Sequence, residues 1–499
     1  MARKFGYLCV LLVLSLNAVA SDPPDLERPR GAGKKVAAEG SRITRRPLDA
    51  KPLIALDGAA TKVNTDAAND QEPVIATNTI GTTHYSVAAF MKFPDRAAQP
   101  YNVRINVRAT TPNHFGWNTA DLEHPVGVYS GDPAIAVNPY TNGFHPERFY
   151  LVGSTFQAAQ NGVQPNWLRL WFSDQGGFIW SSPITLDSDP NGVYFFDKAA
   201  VTVAWKTTYR GHVFVAAMKY HLSGGDTPRI RIYRSNSDLN GTMKFDLMHE
   251  EVAPGAFSPQ IVVDYWTNDV YVLWLERVTN KIQIMRSWDQ GDTFTRLTPF
   301  DTLPMQYPPN KETRAICGKN GSTATCVDAV SSIAARYNWA HRSIGVVWNE
   351  RESSTNASSV DTDVYFNAFV PGLDTWQGKK RVSSVSTNDQ WAPALDFDEA
   401  GNYVVTYYDR RDDANDVQFR AYATKLTGAG DRITGQPDIS LGGPYDPTVY
   451  YNNSGSGNYS LHSVGEYQDV WYANAKWHNA HICIPVGSTG DPCVAKINP

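Results

Sequence analysis

The residues of this chain with the most chemical potential recur in a pattern. Three segments place an aromatic residue shortly before an acid and an arginine: Trp274-Leu275-Glu276-Arg277, Trp348-Asn349-Glu350-Arg351 and Tyr408-Asp409-Arg410-Arg411. A guanidinium is a planar fork that grips a carboxylate through two parallel hydrogen bonds, so Arg277, Arg351, Arg410 and Arg411 converging on one mouth would suit an acidic ligand. The same spacing admits a plainer reading, in which Glu276, Glu350 and Asp409 each pair with a neighbouring arginine as separate rim ion pairs. The segment DRRDDANDV (409–417) is the densest acidic cluster. Asp412, Asp413 and Asp416 offer the hard oxygens that calcium takes, although a polar hairpin tip has the same composition. No other cofactor is required, and the histidines show no zinc-binding spacing such as HExxH.

Residues so far apart can meet only if the chain repeats a unit that returns them to one face. Such a repeat exists. Strands rich in apolar, β-branched and aromatic residues recur at HYSVAAFM (84–91), RFYLVGST (148–155), HVFVAAMK (212–219), DVYVLWLE (269–276), SIGVVWNE (343–350), NYVVTYYD (402–409) and AHICIP (480–485), with starts 57 to 78 residues apart. A shorter strand precedes each of the first six except the fifth, often introduced by an acid or a proline: EPVIATN (72–78), DPAIAVN (132–138), DKAAVTVAW (197–205), SPQIVVD (258–264) and APALDFD (392–398). Each of the first six is followed by a strand of alternating character, such as RIRIYRS (229–235) and KIQIMRS (281–287), which marks one buried and one wetter face. Three or four antiparallel strands per roughly 60 residues, repeated in a ring, make an all-β propeller of four-stranded blades. Seven blades are expected, the last completed by a strand at 52–63; six blades with a C-terminal cap is the alternative. In a propeller, the loops after the second strands and those leading into the first strands share one face, which is where the three arginine segments would meet.

The segment Ser287-Trp288-Asp289-Gln290-Gly291-Asp292-Thr293-Phe294 follows a third strand, and SDQGGFIW (173–180) repeats it in degraded form at the same phase. A third remnant, SNSDLNGTMKF (235–245), also follows a third strand. The motif resembles the Asp box, or BNR repeat, of the sialidase-superfamily propellers over about residues 71–485. The physics of such a turn is structural: Asp289 accepts backbone hydrogen bonds beside Ser287, Gly291 permits a positive φ, and Phe294 packs onto the blade. The resemblance implies a glycan ligand, an arginine clamp on a sugar carboxylate from Arg277, Arg351 and Arg410, and a nucleophilic tyrosine activated by a glutamate, here Tyr467 with Glu466. Glu350 stands with them as a central carboxylate. Neighbouring side chains on a strand face opposite ways, so Glu466 reaches Tyr467 only across a bulge. In the first blade, EPVIATN stands where the family carries Arg-Ile-Pro.

The chain has 499 residues and a formal charge of −5, with 42% hydrophobic and 12% aromatic content, as expected of a folded protein. That charge lacks the basic excess of a nucleic-acid surface. Residues 1–20, with Arg3 and Lys4 before an apolar run and an Ala-Val-Ala end, read as a secretory signal peptide. The apolar run is shorter than the roughly 18–20 residues that cross a bilayer, so no transmembrane segment is expected. Residues 21–70 read as a flexible leader and 71–499 as the propeller. Four cysteines follow the leader, and their closeness in sequence favours Cys317–Cys326 and Cys483–Cys493 in an oxidising compartment. The expected protein is exported and extracellular, cell-surface or periplasmic. It is expected to bind a glycan or glycoprotein, with an acidic one suited to the arginines, and to act either as a sialidase-like exo-glycosidase or as a non-catalytic propeller that binds a glycan or a protein partner or forms part of a surface assembly.

Overall fold

The computed structural model describes residues 55–498, apart from 57–58, 64–68, 81–82, 94–102, 112–116, 121, 125–126, 139–147, 158–163, 205–211, 223–225, 237–242, 304–314, 318–325, 352–361, 448–451, 454–460, 463–466, 474 and 485–490. Residues 1–54, which hold the expected signal peptide and most of the expected leader, lie outside the described residues, as do Glu466 and the centre of the third box-like segment. Seven antiparallel blades form a ring, and each inner strand meets the inner strand of the next blade, the last closing on the first. The inner strands of blades 1 to 7 are Asn69–Ile80, Val128–Val137, Tyr194–Val203, Ala256–Val263, Ile333–Asn338, Gln390–Phe397 and Asp469–Ala473.

Burial follows the sequence pattern. The second strand of blade 4, Val270–Glu276, is buried at every residue, because blades cover both of its faces. The third strand of blade 3, Arg229–Ser235, instead alternates buried and half-buried positions. Between blades, large rings meet small residues: a Cβ on Gly345 would come within 2.6 Å of the Tyr403 ring, so blade 6 seats its tyrosine directly on the blade 5 backbone. Blade 7 takes its outer edge from the other end of the chain, since Ala55–Leu56 and Thr61–Lys62 both pair with Asp491–Asn498. That pairing removes an open strand edge at the point where the ring closes. Both expected disulfides are formed, Cys317–Cys326 and Cys483–Cys493.

Two features go beyond the repeat. First, five inner strands carry a β-bulge near their start, and in each the bulged residue has a left-handed φ: Glu72 (54°), Asp132 (52°), Lys198 (48°), Ser258 (49°) and Ala392 (49°). Four of the five are followed by proline, whose missing N–H is harmless where the ladder is already broken. The acid–proline pairs of the sequence therefore lie inside the inner strands. Second, the long connections into blades 5 and 7 form a small sheet of their own, Ala315–Ile316, Val327–Asp328, Leu461–His462 and Asn452–Asn453. Its Ile316 and Val327 pack in one cluster with Trp391, Tyr408, Phe419 and Ile482, over blades 6 and 7.

Candidate functional site

The chemistry at the bulges is unevenly distributed around the ring. Blades 4 and 6 place Ser258 and Ala392 there, whereas blades 1, 2 and 3 place Glu72, Asp132 and Lys198. The Lys198 Nζ donates to Glu72 Oε1 at 3.0 Å and to Asp132 Oδ1 at 2.7 Å, tying three blades together. Asp197, half-buried beside Lys198, and Glu72 both lie within hydrogen-bond reach of Asp132. Burial works to raise the Asp132 pKa, but the Lys198 charge and the hydrogen bonds around it prevail and hold the carboxyl below its usual value. Three carboxyls therefore surround one ammonium, two of them bonded to it.

Blade 7 completes the cluster with Tyr467. Its hydroxyl donates to the Pro133 carbonyl at 3.0 Å, and the Lys198 ammonium lies 5.0 Å from the ring centre. Burial, and then the charge of Glu72, push the phenol well above its ordinary pKa, so it is protonated at neutral pH. The carboxylate beside this tyrosine is therefore Glu72, 395 positions away in the chain and adjacent in the ring. Further along the channel, Arg336 Nη2 meets Asp469 Oδ1 at 2.9 Å, and Asp469 Oδ2 accepts from the Ile75 amide at 3.2 Å. Burial raises the nearby Asp396 to about 7, against the favourable charge of Arg336.

The arginine segments have a different geometry from a shared clamp. Arg410 is fully buried, donates to Asp389 Oδ2 at 3.2 Å and stands over the Trp391 ring, so it faces the blade rather than the mouth. Arg411 is held by Asp409 Oδ2 at 2.6 Å, Asp438 Oδ2 at 2.7 Å and the Ser383 hydroxyl at 2.8 Å. Glu276 accepts from Thr279 and Gln283 of its own hairpin, at 2.6 and 2.8 Å. Glu350 accepts from the Trp348 indole at 2.9 Å and the Leu303 amide at 3.0 Å, and pairs with Lys379. Arg277 stacks 3.6 Å above the Phe257 ring, and Arg351 is half-buried with its amide bonded to the Leu303 carbonyl. These contacts favour the structural alternative, and for Asp409 and Arg411 they are the ion pair it describes.

The acidic loop of blade 6 likewise spends its oxygens on itself. Asp413 accepts from the amides of Asn415, Val417 and Gln418, while Asp412 accepts from Tyr422 and Arg420. Asp416 is buried in a left-handed turn. Among the described residues, no group of three His, Cys, Asp or Glu side chains is placed to hold a metal ion. The three aspartates are therefore not brought together as a calcium site.

The turn from Ser287 to Phe294 lies at the end of its blade away from the mouth. Ser287 Oγ donates to Asp289 Oδ1 at 2.7 Å and accepts from the Gly291 amide at 2.6 Å, while Asp289 also accepts from the Thr293 amide and hydroxyl. Gly291 has φ 97°, and Phe294 packs against the core between blades 3 and 4. Burial opposes ionisation of Asp289, but the bonds from Thr293 and Ser287 bring its pKa to about 2. The turn after blade 2 repeats the arrangement, with Ser173 Oγ accepting from the Gly177 amide at 3.0 Å. There Asp174 is used elsewhere, in a two-pronged pair with Arg148.

Glu72, Asp132, Asp197 and Lys198 were missed as site residues, although their positions were visible as EP, DP and DK at the same phase of the first three repeats.

No protein-family model matches the chain, and no curated protein does. Among solved structures it is similar to a Hadza microbial sialidase at 14% identity and TM-score 0.45, with 68% of this chain and 63% of that one covered. It is similar to Trypanosoma rangeli sialidase in complex with the inhibitor DANA at 11% identity and TM-score 0.44, covering 77% and 59%. It is also similar to the GH93 alpha-L-arabinofuranosidase of Fusarium graminearum in complex with arabinobiose at 10% identity and TM-score 0.43, covering 76% and 96%. The chain thus spans less than two thirds of the length of the two sialidases, and what it does has to be read from its own residues.

Proposed function

We propose that this protein is an extracellular glycan-directed propeller that cleaves a glycosidic bond at its central mouth by acid–base chemistry. The observation that carries the reading is the convergence of Glu72, Asp132, Asp197, Lys198 and Tyr467 from four blades onto one point of the axis. Glycoside hydrolysis needs one carboxyl that donates a proton to the leaving oxygen and another that acts from the opposite side. A set of carboxyls around one ammonium supplies both states at one pH, with Asp132 ionised by Lys198 and a neighbour holding the proton. Tyr467 is the hydroxyl closest to this set, and Glu72 is the base available to it when a substrate shifts the balance. The bond types support this role further: a purely structural staple has no use for three carboxyls against a single lysine, since a well-packed apolar contact stabilises as much.

A non-catalytic reading is favoured by one observation, the depth of the ion pairs. The side chains of Glu72 and Lys198 are 6% and 9% exposed, so the bridge could serve only to lock blades 1 to 3. An assay of the full chain on acidic and neutral 4-methylumbelliferyl glycosides separates the two. Under the catalytic reading, at least one glycoside is turned over, and Glu72→Gln and Asp132→Asn each reduce kcat by 100-fold or more with the fold intact. Absence of turnover on every glycoside removes the catalytic reading and leaves glycan binding.

A further inference from the structure

Aromatic rings gather on one side of the mouth, over blades 2 and 3. Tyr129 and Phe156 are partners across the first two strands of blade 2, with ring centres 5.9 Å apart, and Phe195 and Tyr220 repeat the arrangement in blade 3 at 5.8 Å. The two pairs join across the blade boundary, where the Phe156 and Phe195 centres stand 5.7 Å apart. The four rings therefore form one continuous row, each tilted on the next by 43 to 56°, and each stays half-buried. Two residues beyond Phe195 and Tyr220, the Leu222 amide bonds the Val193 carbonyl at 3.0 Å, and these two aliphatic side chains, 40% and 39% exposed, extend the apolar surface outward.

The row has a fixed place in the repeat. Tyr129 and Phe195 lie three residues before the bulged residues Asp132 and Lys198. A strand rises about 3.3 Å per residue, so the rings stand roughly 10 Å from the acid–lysine cluster along their strands, on the side where the chain enters the inner strands, which is the mouth. The chain carries Asn69, Gly255 and Asp389 three residues before the other bulges, so the fold does not require a ring at this position. Stacked ring pairs stabilise a fold, but rings kept for packing alone are covered completely, as Trp171, Trp274 and Trp348 are. The face of an aromatic ring is negative and attracts weakly positive C–H groups. A sugar ring offers a face of C–H bonds with hydroxyls on its edge, so it can lie on such a surface while its hydroxyls stay wet. The row itself bears no charge, and Lys198 at its foot is engaged with Glu72 and Asp132. An uncharged sugar is what matches it.

We propose that Tyr129, Phe156, Phe195 and Tyr220 form a track for a neutral oligosaccharide chain, holding the sugar units beyond the one placed at the central cluster. The inference rests on the glycan reading of the mouth and gives that reading a substrate class: a linear chain of several uncharged units, in place of a single terminal sugar marked by an acid group. Recognition on such a track depends on chain length, because a sugar confined to the cluster does not reach the rings.

The test titrates neutral gluco-, xylo-, manno- and arabino-oligosaccharides, from disaccharide to hexasaccharide, calorimetrically into the full chain. In the wild type at least one series gains about tenfold or more in affinity as the chain lengthens. Phe156→Ala and Phe195→Ala each remove most of that gain, Tyr220→Phe keeps it because the ring remains, and Trp288→Ala, which removes an exposed ring at the opposite end of a blade, leaves it unchanged. Affinity that rises with length in no series overturns the track, as does a rise that survives both alanine substitutions. Free 4-methylumbelliferone bound as tightly as the longest chain, and lost in the same variants, overturns the sugar as the occupant. Length-dependent binding that needs the rings, in a protein that turns over no glycoside, keeps the track and rejects the catalytic reading. Turnover of single-sugar glycosides with no dependence on chain length does the reverse, so the two proposals fail separately. Thermal melts confirm the fold of each variant, and where an alanine melts early, Phe156→Leu or Phe195→Leu fills the space without a ring face and is expected to lose the gain as well.

Discussion

Replacing Lys198 with methionine removes one charge from the centre of the ring while keeping most of the side chain's bulk. Its Nζ lies 3.0 Å from Glu72 Oε1 and 2.7 Å from Asp132 Oδ1, and its side chain is 9% exposed, so water cannot replace both bonds. Removing one member of a buried pair costs about 3–5 kcal/mol, because the partner charge stays behind. A per-residue unfolding entropy of about 2.1 cal/mol/K makes that a fall of about 3–5 °C in Tm for a propeller of this size. The pH dependence is the stricter test. In the wild type Asp132 is held below its ordinary value, so its contribution is present above the ordinary carboxylate pKa and is lost as pH falls through the lowered one. In Lys198→Met the ammonium no longer opposes burial, the carboxyls are pushed up, and their penalty is felt at neutral pH and relieved by protonation in acid. The stability gap between the two proteins should be widest near pH 7 and narrow toward pH 4, measured by urea unfolding across that range. Asp132→Asn in the Lys198→Met background should recover part of the loss at pH 7. A gap that is the same at pH 7 and 4.5, or one below about 1 kcal/mol at pH 7, would refute the charge balance described for the cluster.

Three other outcomes follow from the same geometry. Asp396, raised to about 7 by burial, costs stability at any pH above its ordinary value and increasingly so up to pH 7, so Asp396→Asn should melt higher than wild type at pH 8, by a smaller margin at pH 5, and equally once the pH falls below the ordinary carboxylate value. The effect amounts to roughly a few kcal/mol; a lower melting temperature at pH 8 contradicts it. Asp289→Ala should cost about 1 kcal/mol, a figure discounted for the exposure of that turn, with wild-type ligand binding; the loss is present above pH 4 and shrinks as pH falls toward 2. Deleting residues 55–62 bares the edge of Asp491–Asn498, and the truncated chain should associate or precipitate where the full chain is monodisperse by light scattering. A truncated protein that stays monomeric with an unchanged melting curve rules out strand closure as the lock of the ring.

The blades were legible in the sequence because their signal is local. The second strands read as DVYVLWLE and NYVVTYYD end within one residue of Val270–Glu276 and Tyr403–Asp409, since strands buried on both faces leave an unbroken apolar run. The closing strand was legible for a different reason: the seventh repeat lacked an outer member, and the segment 52–63 had the composition to supply it. The small sheet over blades 6 and 7 was invisible, because Val327 and His462 are paired by two loops with no periodicity of their own. The arginine triplets do not share one geometry. Glu276 and Asp409 accept from donors of their own hairpins, whereas Glu350 accepts from the Leu303 amide on the connection into its blade. Arg410 and Arg411 pair with acids of blade 6 and Arg277 lies over Phe257 of blade 4, so the repeated spelling carries a different local arrangement from blade to blade.

The acid–proline pairs show how a structural device becomes a chemical one. A bulge in an inner strand puts one residue into left-handed backbone geometry, whatever that residue is, as Ala392 shows. Each such bulge carries a backbone cost of order 1 kcal/mol for a non-glycine residue. Where the position carries Ser258, the side chain bonds the neighbouring Ile333 backbone and the bulge is a packing element. Where it carries Glu72, Asp132 and Lys198 in succession, the same backbone places two acids and a base within bonding distance of each other. The ring closure then adds Tyr467 from the far end of the chain. Chemistry at this mouth thus requires no departure from the repeat: it requires ionisable residues at three consecutive bulges, next to the seam where blade 7 meets blade 1.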